Sequence, residues 1–186
     1  MPSFTNTASR YGAVAMLLHW GMAVLLAVLV ATGLYMVAMP DVGFDTRKIT
    51  LILVHKAIGM GALAAVLLRL AWRGANLLPG LVPRLPMWQQ VAARFAHLAL
   101  YALMVVVPLT GWLMSSAGGY PIPLFIGDVV VPDLIGFNDH LFYLLIAVHR
   151  WLAYALIGLA AVHAAAALHH HAVKKDDTLR KILPPA

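Results

Sequence analysis

The sequence predicts an all-α integral membrane protein: one bundle of four helices that cross the bilayer, with both chain ends on the same side. Three observations predict it. Apolar residues make up 62% of the chain and charged residues only 11%, where a soluble domain carries about 25% charged residues. The mean hydropathy is +0.86. The apolar residues also gather into four runs, each long enough to span a hydrocarbon core of about 30 Å at about 1.5 Å per helical residue. In a chain of 186 residues these runs leave no length for a second, soluble domain, so a single transmembrane domain covers 1–186.

The spans fall at about 11–39, 49–72, 88–116 and 140–172. The breaks between them, at 40–45, 74–86 and 118–139, are rich in proline, glycine and aspartate, the residues that end helices and make turns. Pro79, Pro83 and Pro86 all lie in the second break. Pro108 lies inside the third span, where a kink is expected and neighbouring helices can satisfy the carbonyl it frees. The first run is too long for a cleaved leader and carries His19 near its centre, so it reads as a span.

Basic residues set the orientation, because cytoplasmic loops are enriched in lysine and arginine. Arg10, Arg69, Arg73, Arg84, Arg94, Lys174, Lys175, Arg180 and Lys181 fall on one side, against Arg47, Lys48, Lys56 and Arg150 on the other. The acidic residues run the opposite way, with Asp41, Asp45, Asp128, Asp133 and Asp139 on the side poor in cations. Both termini are therefore expected in the cytoplasm. The pI near 9.9 follows from this asymmetry and gives no reason to expect a nucleic-acid partner.

Histidines inside the spans carry the chemistry. His149 and His163 are fourteen residues apart in the fourth span, close to four helical turns, so their rings share a face about 21 Å apart. His19 lies about two turns into the first span and His55 near the outer end of the second. Depth pairs His19 with His163 on the inner side and His55 with His149 on the outer side. A single histidine in an apolar helix is commonly just hydrogen-bonded to a neighbour. Four at paired depths ask for more, because an ionisable group is costly inside a bilayer.

The ligand set narrows the metal. The chain has no cysteine, which excludes iron–sulfur clusters, disulfides and thioether-linked haem. Isolated zinc or copper wants three or four converging ligands. Two imidazoles on facing helices suit a six-coordinate b-type haem, and six-coordination leaves no open iron position for oxygen or substrate. Two haem b groups that move electrons are expected, with Gly59, Gly61, Gly111 and Gly158 as small residues that could clear room for them. A haem-free transporter using the histidines as a proton relay is the alternative from a different class.

The run HRWLAYALIGLAAVHAAAALHHHAVKKDDTLRKILP from His149, with LLHW around His19 and LVHKAIGMGALAAVLLRLAWR from Leu53, resembles the bacterial cytochrome b561 family over nearly the whole chain. The resemblance implies four helices holding two b haems, with His19, His55, His149 and His163 as axial ligands. It implies, further, the activity of the family's superoxide oxidases, which take electrons from superoxide at the outer face and pass them to ubiquinone. A cytochrome b anchor subunit, carrying electrons between quinone and a soluble dehydrogenase or hydrogenase partner, uses the same logic and is the second functional reading.

Three more residues fit that activity. Lys56 and Arg150 directly follow outer ligands and would give a positive field that concentrates a small anion; snorkelling to the surface or pairing with haem propionates are their structural alternatives. His170 lies seven residues beyond His163 on the same face, where a group titrating near neutrality could protonate a reduced quinone; interfacial anchoring is its alternative. His97 and His140 sit at span edges, where a solvated or hydrogen-bonded role is expected. Trp20, Trp72 and Trp88 fit an interfacial aromatic belt. The outer connection, with its apolar stretches at 121–126 and 129–131, is expected to fold back over the outer haem.

Overall fold

The computed structural model describes residues 3–40, 45–80 and 85–184. Asp41 and Arg84, two of the residues used to set the orientation, lie outside them. The described chain forms helices α1 (Ala13–Ala38), α2 (Thr46–Ala75), α3 (Met87–Ala117) and α4 (Asp139–His169), in the order of the four apolar runs. All four are long and apolar enough to cross a membrane. Together they make the membrane four-helix bundle that the sequence predicts. Each helix packs on the next in sequence, α1 on α2, α2 on α3 and α3 on α4.

The helices extend beyond the apolar runs where capping chemistry takes over from hydropathy. Helix α2 starts three residues before the expected span because the Asp45 carboxylate accepts from the backbone N–H of Arg47 at 2.8 Å and of Lys48 at 3.5 Å. That satisfies donors which the first turn leaves without partners. Helix α4 is capped in the same way by Asn138, which accepts from Leu141 N–H at 3.0 Å. Helix α3 runs through Pro108, which deprives the Met104 carbonyl of its helical donor. At its far end α4 continues into a π-helical turn at His170–Lys174 and stops at Lys175, which takes a left-handed conformation with φ 54°.

Burial is reversed relative to a soluble bundle. Leu17, Val24, Val28 and Leu34 of α1, with Leu67 and Leu68 of α2, lie exposed along the outside. Such an apolar belt is stable only against lipid. The interior is a compact plug of Met22, Leu63, Val66, Leu100, Met104 and Leu156, contributed by all four helices. Along the sequence, each plug residue falls between the two histidine depths of its helix or hairpin. The plug therefore separates two polar layers.

The two ends of the bundle are closed differently. Beyond α3, strands β1 (Ile122–Pro123) and β2 (Val130–Val131) pair antiparallel in a short hairpin. Its turn holds Phe125 and Gly127 at φ 56° and 58°. This hairpin is tied to α3 by polar contacts. The Trp112 indole donates to the Pro132 carbonyl at 2.9 Å, Ser115 Oγ to the Tyr120 carbonyl at 2.6 Å, and Ser116 Oγ accepts from Leu134 N–H at 3.1 Å. Both serines are 1% exposed, so the apolar stretches of this connection are pinned to α3 as a hairpin.

At the opposite end the segment before α1 and the tail after α4 are knotted together. Arg10 donates to the carbonyls of Arg180 and Leu183, both at 3.0 Å, and Tyr11 N–H donates to the Lys181 carbonyl at 3.1 Å. Both chain ends thus share one end of the bundle. Asn6 is buried, donating to the Leu77 carbonyl at 2.8 Å and accepting from Gly12 N–H at 2.9 Å. A Cβ on Gly12 would lie 2.4 Å from the Thr5 carbonyl oxygen, and backbone there cannot yield as a flexible side chain could. Gly12→Ala is therefore expected to free the segment before α1. Trypsin should then cut after Arg10 several-fold faster than in the wild-type protein in detergent, with the helical circular dichroism unchanged.

Candidate metal centres

The four predicted ligand histidines converge in two pairs. At the hairpin end His55 of α2 faces His149 of α4, with ring centres 6.5 Å apart and planes at 85°. At the terminus end His19 of α1 faces His163 of α4, with centres 6.4 Å apart and planes at 60°. Two imidazoles sharing one metal need about 2 Å for each metal–nitrogen bond and about 1.2 Å from each nitrogen to its ring centre, or about 6.4 Å in all. Both pairs have that spacing. Among the described residues no group of three or more His, Cys, Asp or Glu converges, so the geometry favours a two-ligand site over a zinc or copper cage.

The tautomers of the hairpin-end pair can be deduced. His149 Nδ1 lies 3.0 Å from the Val107 carbonyl oxygen, which can only accept, so the proton is on Nδ1 and Nε2 keeps a free lone pair. Thr110 Oγ1, 3.1 Å from the same nitrogen, spends its own hydrogen on Val107 at 2.7 Å. His55 is held alike. Its Nδ1 is 3.1 Å from Thr32 Oγ1, whose hydrogen goes to the Val28 carbonyl at 2.8 Å. Both rings are therefore oriented from behind with Nε2 turned away from these partners, as hydrogen bonds to the far nitrogen orient metal-bound histidines elsewhere.

The terminus-end pair has a different neighbour. Arg69 Nη2 donates to His19 Nδ1 at 2.8 Å, which places the His19 proton on Nε2. A metal at Nε2 would move that proton to Nδ1 and release Arg69. Arg69 and Arg73 both stack over the Tyr101 ring, at 5.4 and 5.6 Å. They line a small cavity with Trp72, whose buried indole N–H has no hydrogen-bond partner among the described residues. Two cations and an orphaned donor facing one space suit a carboxylate-bearing group.

Here the comparisons with known proteins become decisive. A match to prokaryotic cytochrome b561 spans residues 10–185. The chain belongs to the prokaryotic cytochrome b561 family. Cytochrome b561 homolog 2 of Escherichia coli K12 is 35% identical over 181 residues, covering 97% of this chain and 95% of that protein. Cytochrome b561 homolog 1 of the same organism is 35% identical over 106 residues, 57% of this chain and 59% of the relative. A protein named probable superoxide oxidase CybB, from Yersinia pestis, is 28% identical over 180 residues, 94% of this chain and 96% of that one. As a member of the b561 family the protein is a multi-pass membrane electron-transfer protein that binds haem b.

The remaining predicted site residues are placed as follows in this cytochrome. Lys56 is half-buried, with its ammonium 5.3 Å from the centre of the Tyr120 ring, a cation–π contact to the connection that closes the hairpin end. Arg150 is exposed. His170 is committed to the tail: its Nδ1 is 2.5 Å from Asp176 Oδ2, with both side chains 17% exposed. Of the four glycines expected to clear room for haem, only Gly111 meets a histidine, since a Cβ there would be 3.2 Å from His149 Cε1. Gly59, Gly61 and Gly158 face open space.

Sequence reasoning missed Arg69, Thr32, Thr110 and Gly33, and it misplaced His97. His97 is not a solvated edge residue. It is half-buried, with its ring centre 5.3 Å from that of His163, too close for a metal between them but inside the same polar layer. A signal for all of these exists in the spacing. Thr32 follows His19 by thirteen residues and Thr110 follows His97 by thirteen, each before a glycine; Arg69 follows His55 by fourteen and His163 follows His149 by fourteen. The two helical hairpins are thus matched position for position.

The contact between His170 and Asp176 has a pH window. Partial burial alone would raise the Asp176 carboxyl, but hydrogen bonds from His170 and Thr178 outweigh it and hold the group at about 2, below its ordinary 3.8. A depressed carboxyl contributes stability that is complete above its ordinary value and is lost as pH falls through the depressed one. Hydrogen exchange across 175–184 should therefore stay slow down to about pH 4 and accelerate toward about pH 2. Asp176→Asn should exchange fast, with little change over that range.

Proposed function

We propose that this cytochrome is a superoxide:ubiquinone oxidoreductase of the inner membrane, with both termini in the cytoplasm and two haem b groups. His55 and His149 would hold the outer haem, and His19 and His163 the inner one. The observation that carries this reading is the pair of 6.5 and 6.4 Å imidazole spacings at opposite ends of a bundle whose middle is an apolar plug. Haem b supplies a one-electron iron couple at each site when bound. The net reaction balances as two superoxide anions giving two molecules of oxygen and two electrons, with quinone taking two electrons and two protons to become quinol.

The chain's own residues supply position, charge and protons. Each outer histidine presents Nε2 because a carbonyl or hydroxyl accepts from Nδ1. Arg69, Arg73 and Trp72 would hold the carboxylates of the inner group, with Arg69 free to do so once His19 binds through Nε2. Lys56 and Arg150 are the cations beside the outer pair, and a positive field there raises the encounter rate of a small anion. On the inner side His170, its Nδ1 already bonded to Asp176, keeps Nε2 to deliver a proton to reduced quinone. The similarity to a protein named a probable superoxide oxidase supports the choice of donor.

Purified protein should carry two low-spin haems per chain that superoxide reduces promptly. His149→Ala should lose the outer haem and keep the inner one. A variant that retained both with wild-type spectra would refute the ligand assignment. Lys56→Gln combined with Arg150→Gln should lower the superoxide rate several-fold and flatten its dependence on ionic strength, as steering by exposed charge requires. Two haems that ignore superoxide would instead point to a soluble redox protein as donor, making the chain an anchor subunit.

A further inference from the structure

The geometry points to Thr32–Gly33 and Thr110–Gly111 as a duplicated seat that positions the two outer haem ligands and lowers the potential of the outer couple. This rests on the ligand assignment proposed above and deepens it. In each hairpin the seat has the same parts in the same order. A threonine hydroxyl gives its hydrogen to a carbonyl of its own helix and accepts from the histidine Nδ1: Thr32 donates to Val28 at 2.8 Å and lies 3.1 Å from His55, while Thr110 donates to Val107 at 2.7 Å and lies 3.1 Å from His149. The next residue is a glycine whose missing side chain makes space for the ring. A Cβ would stand 3.3 Å from His55 Cε1 at Gly33 and 3.2 Å from His149 Cε1 at Gly111.

The chemistry follows from which partner each nitrogen meets. A ligating histidine that donates its other N–H to an oxygen becomes a more basic, electron-richer ligand, which favours ferric over ferrous iron. Both outer ligands are seated so. The seats therefore bias the outer couple toward ferric iron, lowering its potential relative to the same two ligands without them.

The experiment uses the full chain with its haems, in Thr32→Val and Thr110→Val, which keep side-chain shape but lose the hydroxyl, and in the corresponding serine variants, which retain it. Haem is counted per chain, and the outer couple, identified by its absence in His149→Ala, is followed by optical redox titration and by its ferric EPR signal. At a fixed ambient potential Thr32→Val should shift the outer ferric-to-ferrous ratio about tenfold toward ferrous, about 59 mV for one electron, and Thr110→Val should shift it the same way by less, because the Val107 carbonyl still accepts from His149 Nδ1. The serine variants should stay within about twofold of wild type, and the inner couple should not move. Gly111→Ala gives an independent readout, since displacing the His149 ring should move the outer EPR signal while both haems remain bound. Loss of the outer haem in the valine variants with retention in the serine variants would also support the seat. Two haems retained with an unmoved outer couple in both valine variants would overturn it. A wild-type protein without two haems, or a His149→Ala protein with both, would remove the ligand assignment itself and the seat with it.

Discussion

Inside a bilayer no water completes a hydrogen bond, so every polar side chain on a spanning helix must find its partner within the bundle. That constraint organises this molecule. Thr32 and Thr110 turn their hydroxyls back to carbonyls of their own helices, and the histidines behind them take what those hydroxyls still accept. Trp112, Ser115 and Ser116 reach into the connection beyond α3 for the same reason. The polar groups end up gathered in two layers, because scattering them singly along the helices would leave each one unpaired. Between the layers lies the plug of Met22, Leu63, Val66, Leu100, Met104 and Leu156, which keeps the two centres chemically separate while holding the helices in register.

The two hairpins, α1–α2 and α3–α4, use one plan at one end and diverge at the other. At the hairpin end the plan is intact: in each hairpin a threonine–glycine pair on the first helix backs a histidine on the second, and the two rings face each other across the bundle. At the terminus end α3 offers His97 where α1 has His19, and α2 offers Arg69 where α4 has His163. One imidazole pair keeps the metal spacing, while the other two positions become a cation and a third ring packed beside it. Arginine at that place cannot ligate a metal, and its permanent charge changes the environment of whatever the remaining pair holds. Divergence from a repeat thus makes the two ends of the bundle chemically different.

Charge at the two ends is arranged to match. Lys56 is held against Tyr120 beside the hairpin-end pair, where its charge is presented through an ordered connection. At the other end the arginines stack on Tyr101, while the segment before α1, the α2–α3 connection and the tail are laced together. Lys181 donates to the Gly80 carbonyl at 2.7 Å, Trp20 to the Ile182 carbonyl at 3.0 Å, and His170 is fastened to Asp176. That lacing holds the last turn of α4, and with it His170, at a fixed place beyond the terminus-end pair.

The fold class, the four spans and the family are legible in the amino-acid order, because hydropathy over about twenty residues and a long C-terminal motif are properties of the chain alone. It also determined which histidines could share a depth, since helical rise converts sequence spacing directly into height. Helix ends were less legible: α2 gains a turn from the Asp45 cap, which lies outside the apolar run. Which side chains meet across helices is settled by packing. Height along a helix does not fix its rotation or its neighbour, so Arg69 against His19, His97 against His163 and the threonine behind each hairpin-end histidine emerge only when α1–α2 and α3–α4 are packed face to face.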